Sequence, residues 1–157
     1  MGSVLVGAAT IVAAVPAVRD MFFPDSQAST DQGITIDPPD NGRIATCATV
    51  RGSAALKDGL VLWAGVEGYD VMLFKVIREE GNRWRVSKRV GGPEYIGRTF
   101  QIHAFYLNER DSQFLEGASA VGKDGKLTSI HFKKIPPGAQ GQVTRTVVHD
   151  GSGGASC

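Results

Sequence analysis

Hydrophobic and polar residues alternate in short runs through most of the chain, and glycines separate many of these runs. Positions 59–68 read Gly-Leu-Val-Leu-Trp-Ala-Gly-Val-Glu-Gly. Leucine, valine and tryptophan favour a half-buried sheet surface, and the flanking glycines mark the ends of such a segment. We therefore predict a central strand here, with Trp63 as the anchor of a hydrophobic core.

Similar runs before and after this segment predict further strands, which are joined by turns rich in Gly, Pro, Asn and Asp. The runs cover 33–37, 43–52, 70–78, 83–90, 99–107, 127–134 and 142–149. The glycine-containing turn at 79–82 predicts a hairpin between the two strands that flank it. Positions 108–119 predict a short helix or an extended loop, capped by Asn108 or Asp111.

The composition agrees with a domain made of short strands. Twenty glycines and seven prolines among 157 residues suit many turns better than long helices. The hydrophobic fraction of 42% is enough for an ordinary core. We predict one all-β domain, with a core built from Trp63, Trp84, Phe74, Phe100 and Ile102.

The N-terminal segment 1–23 differs from the rest of the chain, because its residues 1–18 carry no charged side chain. A helix over these positions would be about 27 Å long, just short of the hydrocarbon core of a membrane. We predict an apolar helix that serves as a membrane anchor. A cleaved signal, a buried soluble helix and non-native residues at Met-Gly-Ser are the alternatives, and the missing Lys or Arg before the run argues against cleavage.

The remaining boundaries follow from composition. Residues 24–32 are polar and lack aromatic side chains, which is typical of a linker. The folded domain is predicted over 33–150, and the Gly- and Ser-rich segment 151–157 is predicted to be a flexible tail.

Several motifs together resemble bacterial immunoglobulin-like domains. They are Ile-Thr-Ile-Asp-Pro-Pro-Asp-Asn-Gly, Cys-Ala-Thr-Val-Arg-Gly-Ser-Ala, Gly-Leu-Val-Leu-Trp, Gly-Asn-Arg-Trp and Phe-Gln-Ile-His-Ala-Phe, which lie between 33 and 116. More specifically, the motifs resemble actinobacterial envelope proteins that carry such a domain after one membrane segment. The resemblance implies an immunoglobulin-like β-sandwich outside the membrane, and it carries over no catalytic residue.

Candidate chemistry is sparse. His103, His131 and His149 are not at the spacing of metal ligands, and no close pair of cysteines occurs, so we expect neither a metal site nor a cofactor. No nucleophile motif such as Gly-x-Ser-x-Gly is present, and we expect no enzyme. The carboxylates cluster in predicted turns, where they remain solvated; Asp37 and Asp40 only weakly match a calcium loop.

One predicted surface has a defined pattern of charge. Arg83, Arg85 and Arg89 lie on the same face of one predicted strand, because side chains two positions apart point the same way. Such a face suits an anionic ligand, and the alternative is an ordinary solvated face that discourages edge pairing. The net charge of +1 argues against a nucleic-acid partner.

The two cysteines bear on location. In an oxidising compartment Cys47 and Cys157 could form a disulfide, and the alternatives are a free or an intermolecular thiol. Together, these features predict a non-catalytic, membrane-anchored, extracytoplasmic binding or structural module of the cell envelope, or a secreted one if a signal is cleaved. Its partner would be a protein or an envelope polymer, and segment 1–23 would contact the membrane.

Two other functions remain open. One is a sensory or regulatory domain that binds a ligand and whose membrane segment oligomerises. The other is an enzyme, which would need a deep pocket with convergent polar groups, such as His103 beside a carboxylate.

Overall fold

Strands dominate the computed structural model, which describes residues 33–118, 130–153 and 157. Within these residues the chain forms ten strands and one α-helix. They are β1 Ile34–Ile36, β2 Arg43–Ile44, β3 Cys47–Ala54, β4 Leu60–Glu67, β5 Val71–Lys75, β6 Ile77–Arg78, β7 Arg83–Arg89, β8 Thr99–Asn108, α1 Glu109–Ala118, β9 Ile130–Phe132 and β10 Gln140–His149.

The strands form two sheets that pack as a sandwich. One sheet has four strands in the order β1-β3-β7-β6, and the other has six in the order β2-β10-β8-β4-β5-β9. Neighbouring strands are antiparallel except β2 and β10, which are parallel. The prediction of an all-β fold is confirmed, and the long strands β4 and β8 lie at the centre of the six-stranded sheet.

The main core lies between the two sheets. The four-stranded sheet contributes Trp84, Val50 and Val86, and the six-stranded sheet contributes Leu62 and Ile102, all buried. A Cβ atom on Gly52 would lie 2.5 Å from Trp84 Cζ2, so the large indole ring fits only because this position lacks a side chain.

A second core covers the outer face of the six-stranded sheet. Trp63, Phe105 and Leu107 point away from the first core and are buried with Leu115 of α1. The Trp63 indole donates a hydrogen bond to Ser112 Oγ of the helix at 3.0 Å. All five predicted core residues are buried, but Trp63 belongs to this second core and the other four lie between the sheets.

The predicted strand 43–52 is two strands that belong to different sheets, β2 and β3. The predicted strand 70–78 is likewise β5 in one sheet and β6 in the other. The alternation of the residues does not reveal these crossings, because it shows which positions share a face and not to which sheet a strand belongs. The predicted hairpin is formed by β6 and β7, and α1 begins after Asn108, whose Oδ1 accepts a hydrogen bond from the Asp111 backbone at 2.8 Å.

The structure describes part of the predicted C-terminal tail but none of the N-terminal segment 1–32. The predicted helix 1–23 and the linker 24–32 lie outside the described residues. Across 33–118 and 130–153 there is no helix with the length and hydropathy needed to cross a membrane. In the predicted tail, the Ser152 carbonyl accepts a hydrogen bond from the Thr46 amide at 2.7 Å, which holds the tail against the turn between β2 and β3.

Candidate functional site

The predicted arginine face lies on the outer side of the four-stranded sheet. Arg83, Arg85 and Arg89 follow one another along the solvent side of β7, and Arg51 of β3 lies opposite Arg85. Hydroxyl groups fill the spaces between the charges, as in the 2.7 Å contact between Thr49 Oγ1 and Ser87 Oγ. The register of β3 against β7 brings Arg51 into this face, which the spacing within β7 alone does not show.

Two of the three predicted arginines already bind carboxylates. Arg83 makes a two-contact ion pair with Asp37, and this hydrogen bonding raises the pKa of the guanidinium. Arg85 Nε lies 2.6 Å from Glu79 Oε1. Arg89 Nε donates to the Gly91 carbonyl at 3.1 Å. An anionic ligand here would compete with protein carboxylates, and its binding stays a prediction.

A second site, the loop-end pocket, forms where the turn between β4 and β5 meets the loop between β7 and β8. It has a volume of about 360 Å³. Its lining residues are Gly68, Tyr69, Tyr95, Arg98, Thr99 and Phe100. The Tyr69 side chain is 72% exposed, while Phe100 is buried and forms part of the pocket wall.

The Arg98 guanidinium lies beside both tyrosines of this pocket. Its central carbon is 5.4 Å from the Tyr69 ring centre and 5.7 Å from the Tyr95 ring centre, within the range of cation–π attraction. Arg98 also donates a hydrogen bond to the Tyr69 hydroxyl. Tyr69 and Tyr95 meet edge to face at 6.1 Å. The pocket therefore presents aromatic surface beside a positive charge that contacts both rings.

Backbone contacts hold the pocket in shape. The Gly97 amide donates to the His149 carbonyl at 2.7 Å, which ties the loop to β10. A Cβ atom on Gly68 would lie 2.8 Å from Phe100 Cε1, so the glycine allows the turn to approach this ring. Sequence reasoning missed the pocket because Tyr69 and Arg98 lie on separate turns; an aromatic residue inside a Gly-Tyr-Asp turn was the available signal.

A larger cavity of about 500 Å³ opens between the sheets near the start of β3. Asp37, Asp40 and Asp150 line it together with Arg43 and Arg51. In the described part of the chain, no group of three or more His, Cys, Asp or Glu side chains is placed to hold a metal ion. The weak calcium hypothesis gains no support, because Asp37 is engaged by Arg83.

The cysteines predicted as a disulfide pair are joined in the structure. The Cα atoms of Cys47 and Cys157 are 5.3 Å apart, and the bond closes a loop over 110 positions. It fastens the segment that follows β10 to the first residue of β3, and so links the two sheets covalently.

The histidine network is a set of four polar side chains, Glu67, His103, Gln142 and Thr144, on the outer face of the six-stranded sheet. His103 Nε2 lies 2.8 Å from Glu67 Oε2, and His103 Nδ1 lies 2.9 Å from Thr144 Oγ1. Burial lowers the pKa of His103, although Glu67 opposes the shift. His103 thus lies beside a carboxylate, which is one part of the condition named above for an enzyme; the other part is a deep pocket, and neither pocket described above is lined by His103.

Comparison with known proteins adds no family to this description. The chain matches no protein-family model, no curated protein and no solved structure. The resemblance to bacterial immunoglobulin-like domains therefore stays a prediction, and function has to be argued from the side chains.

Proposed function

We propose that this domain is a binding module of the cell envelope, and that its loop-end pocket recognises an envelope polymer that carries acidic groups. The observation that carries the proposal is the exposed Tyr69 ring held beside the Arg98 guanidinium at a pocket of about 360 Å³. The proposal assigns no catalytic step to this pocket.

The chemistry of the pocket supports an acidic polymer. An aromatic face packs against the apolar side of a sugar ring, and a guanidinium binds a carboxylate or a phosphate through paired donors. Arg98 donates one hydrogen bond to the Tyr69 hydroxyl, and its other N–H groups can bind a ligand. Because the two side chains hold each other in place, little side-chain entropy is lost on binding.

We also propose that the sandwich is of the immunoglobulin type. In immunoglobulin domains one sheet contains strands A, B, E and D, and the other contains G, F and C, with C′ added in variable domains. The order β1-β3-β7-β6 corresponds to the first set, and β10-β8-β4-β5 corresponds to the second. Trp63 is on β4, in the place of strand C, but its ring lies under α1 while Trp84 fills the space between the sheets.

An extracytoplasmic location is part of the proposal. The disulfide between Cys47 and Cys157 supports it, because such bonds persist in oxidising compartments. We expect a C-terminally tagged chain to sediment with membranes through segment 1–23, and to be digested by protease in spheroplasts but not in intact cells. Full protection in spheroplasts would contradict the location.

Affinity measurements on the full chain test the proposed ligand. We expect acidic oligosaccharides, such as oligogalacturonate, to bind more tightly than neutral ones of the same length. Tyr69→Ala and Arg98→Ala should each weaken binding by about tenfold or more, as is typical of central aromatic and arginine contacts.

Two matched controls accompany these variants. Phe114 on α1 is 70% exposed, almost the same as Tyr69, so Phe114→Ala removes an equally exposed ring elsewhere. Arg51→Ala removes an exposed arginine from the four-stranded sheet. Both should leave affinity unchanged. Equal losses in the controls and the pocket variants, or no preference for acidic ligands, would contradict the proposal.

A further inference from the structure

The histidine network lies on a different face from the loop-end pocket, and the inference drawn from it goes beyond the proposed binding function. Its members come from three adjacent strands: Glu67 from β4, His103 from β8, and Gln142 and Thr144 from β10. Thr144 pairs with His103 across the ladder, and all four side chains point to the outer side of the sheet.

The hydrogen bonds of the network fix the direction in which a proton can move. An ionised carboxylate only accepts hydrogen bonds, so His103 Nε2 carries the proton and donates it to Glu67. The other ring nitrogen, Nδ1, is then an acceptor, and two groups are placed to donate to it: the Thr144 hydroxyl at 2.9 Å and Gln142 Nε2 at 3.2 Å. A hydroxyl held on a base that a third group orients is the arrangement of an activated nucleophile.

The ionisation state of His103 suits this role. Its side chain is only 3% exposed, and burial lowers its pKa below the ordinary value of 6.5. The lowered pKa favours the neutral imidazole, which is the form that can accept a proton. Glu67 is 41% exposed, so it retains contact with solvent while it accepts the hydrogen bond from His103.

A β-bulge places the fourth member of the network. Gln140 pairs with Tyr106 and Val143 pairs with Ala104, so β10 has one residue more than β8 between these pairs. Gly141 adopts a φ of +64° there. Bulges often redirect a side chain beside an active site. Here Gln142 Nε2 lies 3.4 Å from Thr144 Oγ1 and 3.2 Å from His103 Nδ1.

We propose that Thr144 is the nucleophile of an acyl-transfer site that hydrolyses small carboxylic esters, with His103 as general base and Glu67 orienting the ring. Thr144 is partly exposed and Gln142 is exposed, so an ester reaches the hydroxyl from solvent while the base stays covered. Gln142 Nε2 contacts both Thr144 Oγ1 and His103 Nδ1, and in the reaction one of its two N–H groups would turn from these partners to the carbonyl oxygen as negative charge develops.

The reaction needs no cofactor. Thr144 Oγ1 attacks the ester carbonyl carbon, and its proton passes to His103 Nδ1. The bond from carbon to the alcohol oxygen then breaks, the alcohol leaves with that proton, and the acyl group remains on Thr144. Water attacks the acyl group and gives a proton to Nδ1, which returns it to Thr144 as the acid leaves. The sum is ester plus water to acid plus alcohol.

The test uses the full chain and p-nitrophenyl acetate. We expect release of p-nitrophenolate and an acetyl group on the peptide that contains Thr144, located by mass spectrometry after acid quenching. Thr144→Val should abolish this acetylation, and Thr144→Ser should preserve it. Thr146→Val is the matched control, because Thr146 is an exposed threonine two positions further along the same strand.

His103→Gln should slow acetylation by about 100-fold, the usual contribution of a general base. With the unaltered chain, the rate should reach half its maximum below pH 6.5, the ordinary pKa of histidine. Unfolding midpoints of all variants show whether each is folded. Acetylation confined to lysines or the N-terminus, or an undiminished rate in folded Thr144→Val, would overturn the proposal. Tyr69→Ala should weaken polymer binding without changing acetylation of Thr144. The binding proposal and the acyl-transfer proposal can therefore fail independently.

Discussion

The outer faces of the two sheets differ in what covers them. The four-stranded sheet presents arginine, serine and threonine to solvent, and two of its arginines, Arg83 and Arg85, are paired with carboxylates at the surface. The six-stranded sheet carries a second hydrophobic core beneath α1, with Trp63 and Phe105 fully covered. Strands of similar alternation thus have a solvated outer face in one sheet, whereas in the other sheet the part of the outer face around Trp63 is covered as well.

The comparison shows where polar groups matter for stability. On the solvated face, an ion pair replaces contacts with water and contributes little. On the covered face, each polar group needs a partner within the protein, because burial without a hydrogen bond is costly. The Trp63 indole bonds to Ser112 and His103 bonds to Glu67, which meets this requirement.

The largest expected effect is on the second core. Phe105→Ala removes a fully buried ring and should lower the free energy of unfolding by about 3–5 kcal/mol. Phe114→Ala removes an exposed ring from the helix above and should change it by less than about 0.5 kcal/mol. Urea unfolding measures both. Similar values for the two variants would show that α1 does not cover a core.

The covalent link between the sheets comes next. Removing the disulfide with Cys47→Ala and Cys157→Ala together should lower the free energy of unfolding by about 2–5 kcal/mol, because the bond closes a loop over 110 positions. Reduction of the unaltered chain by dithiothreitol should have the same effect and should leave the double variant unchanged. A reductant effect of equal size in the double variant would contradict this assignment.

A smaller effect is expected from pH. The pKa of His103 is lower in the folded chain than in the unfolded one, so the unfolded state binds more protons as pH falls below 6.5. Stability should therefore be highest above this pH and should decrease below it, by at most about 1.4 kcal/mol per pH unit. His103→Gln should reduce this slope, as measured by urea unfolding between pH 7 and pH 5.5. An unchanged slope would show that a group other than His103 causes the pH dependence of stability.

The smallest effect is expected on the solvated face. Arg85→Ala breaks the ion pair with Glu79 and should change the free energy of unfolding by about 0.2–1 kcal/mol. The double variant with Glu79→Ala isolates the pair itself. Because both side chains are well exposed, added salt should reduce the coupling. A coupling energy of several kcal/mol between Arg85 and Glu79 would contradict the view that polar contacts contribute little on the solvated face.

Much of the sandwich could be predicted from alternation alone. The strands around Trp63, Trp84 and Ile102 follow from period-two patterns and turn residues, since these are local properties of the chain. The division of the strands between two sheets could not be predicted, because alternation does not identify the partner of a strand. For the same reason, Trp63 and Trp84 were predicted to share a core that the structure divides in two.

The sites were harder to predict than the strands. The arginine face depends on spacing within one strand, and its pattern was visible in the sequence. The loop-end pocket and the histidine network each join residues from separate segments, as the pair His103 and Glu67 does across β4 and β8. Strand register brings such residues together, and the register cannot be read from a single sequence.

The central claim is that the loop-end pocket, and not the arginine face, is where an acidic polymer binds. The most direct measurement is the change in backbone amide NMR shifts of the isotope-labelled full chain as oligogalacturonate is added. We predict the largest changes at Gly68, Tyr69 and Arg98. Changes centred on Arg51, Arg83 and Arg85, or none at saturating ligand, would contradict the account.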